Sequence, residues 1–107
     1  MKKSLFFLLP LGWMLFNPAF ALAHKINIFA YIDNQTVYTE SYFSDGKPVR
    51  NGTITVVQQN KHILLHGKTD AQGLFNFPLT EQETLIIEIN GGMGHKNSFT
   101  LQPHPEN

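Results

Sequence analysis

Turn signals recur about every 8–12 residues along most of this chain, a spacing that leaves room for short extended segments and little else. They stand at Asp33-Asn34-Gln35, Ser44-Asp45-Gly46-Lys47-Pro48, Gln59-Asn60-Lys61, Asp70-Ala71-Gln72-Gly73, Thr80-Glu81-Gln82-Glu83 and Asn90-Gly91-Gly92. Asp, Asn and Gly adopt the backbone conformations that end a regular element, and Pro fixes one of them. Between the clusters apolar residues alternate with period two, as in Ile26, Ile28, Ala30 and Ile32. That is the pattern of a half-buried strand. Beyond residue 24 no apolar stripe of helical period is sustained. The pattern predicts strands near 25–33, 36–43, 52–58, 62–67, 73–78, 84–90 and 96–101, with ends good to about 2–4 residues. About seven short strands so spaced imply an all-β fold, a small antiparallel β-sandwich of immunoglobulin-like or transthyretin-like type.

The first residues obey a different rule. Lys2 and Lys3 precede an apolar run from Leu5 to Phe16, and the small-residue exit Ala21-Leu22-Ala23 follows. This is the layout of a secretory signal peptide. Pro10 and Gly12 interrupt the run, which is short for a bilayer span. Residues 1–23 are therefore expected to be removed, residues 24–101 to form the domain, and the proline-bearing stretch 102–107 to be a disordered tail. The mature protein is expected to be exported to the periplasm, with no membrane span of its own.

Composition narrows the function classes. After residue 23 six basic residues face eight carboxylates, with no basic cluster, so nothing attracts nucleic acid or an anionic membrane. The chain contains no cysteine. A small exported domain without disulfides must draw its stability from its core, a bound ion or a partner. Nucleophilic catalysis needs an activated Ser, Thr or Cys, often on a fixed elbow, and no such motif occurs, so an enzyme is not expected. Gly91-Gly92-Met93-Gly94-His95 is glycine-rich but lacks the Gly-Lys-Ser/Thr of a phosphate loop.

The histidines carry more. His62 and His66 fall in a strand-like segment, where residues four apart lie about 13 Å from one another and cannot share an ion. Cleavage after Ala23 makes His24 the amino terminus. Its α-amine and Nδ1 can then close a six-membered chelate on a metal, both nitrogens giving up protons near neutral pH when a metal competes. Such donors suit nickel, cobalt, copper and zinc. His95, aimed by the flexible glycines around it, is the candidate third ligand. Met93 offers a soft thioether and Glu40 an oxygen, although a Met in such a loop is more often packing material and a strand Glu more often a solvated carboxylate.

His24-Lys25-Ile26-Asn27-Ile28-Phe29-Ala30, Val37-Tyr38-Thr39-Glu40-Ser41-Tyr42-Phe43-Ser44-Asp45-Gly46 and Gly91-Gly92-Met93-Gly94-His95 resemble the small periplasmic accessory component of energy-coupling-factor type nickel and cobalt importers. Gly46-Lys47-Pro48-Val49 and Thr69-Asp70-Ala71-Gln72-Gly73-Leu74-Phe75 resemble the carboxypeptidase regulatory-like, transthyretin-like sandwich, in which Thr-Asp-x-x-Gly forms a turn feeding a strand. The first resemblance implies a protein that presents Ni²⁺ or Co²⁺ to the membrane subunits of an importer without chemistry on the ion. A periplasmic copper carrier and a scaffolding sandwich that binds no metal remain as alternatives.

Overall fold

A computed structural model describes residues 25–80 and 82–103. The expected signal peptide, His24 and most of the expected tail lie outside the described residues; Gln102 and Pro103 take no part in strand pairing. The described chain contains seven strands: β1 (Ile26–Asp33), β2 (Thr36–Phe43), β3 (Thr53–Gln58), β4 (Ile63–Lys68), β5 (Leu74–Pro78), β6 (Leu85–Gly92) and β7 (His95–Leu101). They pair antiparallel in two sheets, ordered β1-β2-β5 and β4-β3-β6-β7. No helix occurs among the described residues. In the constant-type immunoglobulin arrangement the fourth strand pairs with the fifth. Here β4 pairs with β3 instead, so the sheet of β1 and β2 has three strands and the sheet of β3 and β6 has four.

Alternation places the core. Ile26 and Ile28 of β1, Val37 of β2, Ile54 and Val56 of β3, and Leu85, Ile87 and Ile89 of β6 are each at most 4% exposed and pack between the sheets. Each fully buried aliphatic side chain contributes about 1.5–3 kcal/mol relative to exposure. Thr39 is equally buried, and its hydroxyl donates to the Phe75 carbonyl on β5 at 2.8 Å, which meets the requirement that a buried polar group be paired. The side of the four-stranded sheet nearest β5 also depends on glycine: the Phe75 ring lies where a Cβ on Gly67 would sit.

The Thr69–Gly73 element folds as the expected turn, and its polar groups do the fastening. The Thr69 hydroxyl donates to the Val49 carbonyl and accepts from the Gly52 N–H at 2.8 Å. Asp70 Oδ1 accepts from the N–H groups of Gln72 and Leu74, both at 2.9 Å. Gly73 has φ of +80°, and a Cβ there would collide with the Ser41 carbonyl. The turn thus delivers β5 against β2 with Val49 held in the core.

Candidate functional site

The last hairpin departs from expectation in one respect. Asn90-Gly91-Gly92 is not its turn: β6 continues to Gly92, and the chain reverses at Met93-Gly94, with Gly92 paired to His95. Asn90 causes the difference, because its Oδ1 accepts from the Gly92 N–H at 2.8 Å across a β-bulge. Gly92, at φ +91°, supplies the left-handed conformation such a bulge uses. Met93 and Gly94 follow at φ +55° and +84°, the signs of a type I′ turn, which normally takes Asn or Gly first. Met93 is 96% exposed. An unburied, β-carbon-bearing residue is therefore held in the left-handed region, at a cost of roughly 1–2 kcal/mol.

His95 opens β7 beside this tip and is half-buried. Its Nδ1 lies 3.0 Å from the Gly92 carbonyl. A carbonyl only accepts, so this bond requires the proton on Nδ1 and leaves the imidazole lone pair on Nε2. A backbone carbonyl on one ring nitrogen is the usual way a ligating histidine is oriented. The ring meets Phe43 edge-on, with centroids 6.2 Å apart. Phe43 also borders a hollow of about 520 Å³ with Asp45, Lys47, Pro48 and Arg50.

Two further contacts bring the start of β1 to the same place. Asn97, two residues after His95, donates from Nδ2 to the Ile26 carbonyl at 2.8 Å. Ile26 pairs with Phe43, the residue against which His95 packs. Gly91 allows the approach, since a Cβ there would come within 2.9 Å of Ile26 Cδ1. At this seam between the two sheets, Ile26 follows position 24 by two residues in the sequence and Asn97 follows His95 by two. The seam depends on strand placement, and only the amide of Asn97 could have hinted at it in the sequence.

The other candidates are arranged differently. Glu40 projects from the outer side of β2, opposite the side that buries Val37, Thr39 and Ser41. His95 packs on Phe43, which faces the core. The two are thus not brought together. Glu40 instead accepts from the Tyr42 hydroxyl at 3.2 Å. Partial desolvation, then the Glu40 charge and this hydrogen bond, raise the Tyr42 hydroxyl above its ordinary value. His62 precedes β4, and His66 within it pairs through Nδ1 with the Thr55 hydroxyl at 3.2 Å. Among the described residues no three of His, Cys, Asp and Glu are grouped to hold a metal. No described helix is long and apolar enough to cross a membrane.

The chain is 35% identical over 81 residues to a protein of Haemophilus influenzae whose name states no function; the match covers 73% of this chain and 50% of that protein. The chain therefore spans about half the length of that relative. No family model matches, and no solved structure matches.

Proposed function

We propose that this chain is a periplasmic accessory protein of a nickel or cobalt uptake transporter, exported by residues 1–23 and presenting the ion to the transporter's membrane subunits. The ion is cargo: it is bound, oriented and handed over, with no reaction at the protein. The observation that carries this reading is the seam between β1 and β7. Ile26 and Asn97 are bonded across it, and two residues of chain reach at most about 7 Å. His24 precedes Ile26 by two residues and His95 precedes Asn97 by two, and this closeness along the chain to one shared bond, with His95 Nδ1 turned to the Gly92 carbonyl, supports a site that both histidines contribute to. Two nitrogens from His24 and one from His95 make a site of borderline donors suited to Ni²⁺ and Co²⁺.

The test turns on the amine. An α-amine becomes an amide when another residue precedes it, and an amide nitrogen has its lone pair delocalised into the carbonyl. Protein beginning at His24, the same protein with one added Ala in front, and His95→Ala should be titrated with nickel, cobalt and copper. Each change is expected to weaken binding on the order of a hundredfold. Equal binding by the extended form would end the proposal. Tagged protein purified from native membranes should also retain the importer's membrane subunits. Normal metal uptake after deletion of the gene, with no such subunits retained, would count against the partner.

Met93 favours a second reading, a copper carrier. Its thioether is almost fully exposed at the tip beside His95, and soft sulfur ligands select Cu(I). Under this reading Met93→Leu lowers Cu(I) affinity severalfold. Under the first it leaves nickel and cobalt binding unchanged.

A further inference from the structure

The outer face of the three-stranded sheet is unusual for a surface. Phe29 is 56% exposed, Tyr31 50% and Leu74 39%, three of the five exposed large hydrophobic residues among those described. Strand register explains why they cluster. Glu40 lies between Phe29 on β1 and Leu74 on β5. Tyr38 and Tyr42 flank it along its own strand, on the same side. Tyr31 and Tyr38 stack with centroids 5.4 Å apart. One carboxylate is therefore ringed on all four sides by apolar or aromatic side chains.

That arrangement dictates what can cover the face. An apolar partner would gain from burying the rings, but it would strand the Glu40 charge in a dry contact with no partner to offset its desolvation. A second copy laid face to face on the central strand would press Glu40 against Glu40. Within β1, β2 and β5 the one other charged residue is Asp33, at the end of β1, and Lys25 precedes that strand. A cation placed centrally satisfies both the carboxylate and the rings, because aromatic faces attract positive charge. A planar guanidinium does so best: it lies flat on a ring and presents a fork of donors to a carboxylate.

We infer that this face is a docking surface for a partner protein segment carrying an arginine between apolar residues, the arginine seated on Glu40 within the ring of Phe29, Tyr38, Tyr42 and Leu74. Tyr42 holds the carboxylate in place through its hydroxyl. The inference does not depend on the proposed metal site, whose described candidate, His95, lies in the other sheet.

The purified full-length chain, as its host processes it, should be titrated with a capped peptide of one arginine flanked by leucines, followed by amide chemical shifts. The expected shifts map to Phe29, Glu40, Tyr42 and Leu74. Replacing the arginine by citrulline, which keeps shape and removes charge, should weaken binding at least tenfold, and Glu40→Gln should do the same. Phe29→Ala should weaken it about fivefold while metal binding at the processed terminus stays as in the parent, which separates this face from the metal site. Equal binding of the citrulline peptide, equal binding by Glu40→Gln, or concentration-dependent self-association that shifts these same residues would overturn the inference.

Discussion

Two of the tight turns that use left-handed backbone in this molecule use it to opposite ends. In the Thr69–Gly73 turn every functional group works inward: the Thr69 hydroxyl bonds two backbone groups, the Asp70 carboxylate bonds two more, and Gly73 lies against the Ser41 carbonyl. In the Gly92–His95 turn the backbone groups are fastened, through Asn90 and His95, while the side chain at the tip points into water. The first turn uses glycine where only glycine fits. The second tolerates a methionine at φ +55°, where asparagine or glycine would sit without strain. Gln35, at φ +64° in the β1–β2 turn, and Lys61, at φ +76°, hold the same region away from the proposed site, so the Met93 conformation is a reason to test the tip and not by itself a mark of function.

The comparison breaks most visibly at Gly73. Gly73→Ala puts a Cβ into the Ser41 carbonyl at φ +80°, and neither strand can yield without losing the Ser41 N–H bond to the Gly73 carbonyl, 2.9 Å long. The expected loss is about 3 kcal/mol, read by chemical denaturation. Thr69→Val comes next. It keeps the shape and removes a hydroxyl that serves as donor and acceptor, leaving the Gly52 N–H and the Val49 carbonyl buried without that partner. About 2 kcal/mol is expected. Neither change should alter metal binding, since this turn lies outside the proposed site. A loss of affinity in either, with folding intact, would show that the inward turn is not merely structural.

What could be read from the sequence follows the range of the interactions involved. All seven strands were legible because alternation and turn residues act within a few positions, and Thr69-Asp70-x-x-Gly73 was legible as a turn for the same reason. The end of β6 was not. Asn90-Gly91-Gly92 has turn composition, yet the Asn90 side chain caps a bulge and the strand runs on. The pairing of β4 with β3, which the Phe75 ring over Gly67 accompanies, also lay beyond local signals. His95 was visible as a residue among glycines. Its nearness to the start of β1 needed Asn97 and Ile26 to meet across the sandwich. Glu40 reads from the sequence as an oxygen donor or a solvated strand carboxylate, because only the register of three strands surrounds it with rings.

The smallest expected effect is the most discriminating. Met93 buries almost nothing, so replacing it removes little packing, and its cost to the native state is confined to its backbone conformation. Asparagine adopts that conformation routinely, and Asn-Gly is the favoured pair for a two-residue type I′ hairpin. Met93→Asn should therefore stabilise the protein by about 0.5–1 kcal/mol, a rise in Tm of roughly 2–8 °C for a domain of this size. A gain in stability accompanied by unchanged binding of every metal and unchanged uptake would mean that the methionine is retained for no role at this site. A gain accompanied by weaker Cu(I) binding would identify the thioether as the reason the strain persists. No gain at all would mean that the side chain stabilises the tip in a way its exposure conceals, and the contrast drawn between the two turns would fall with it.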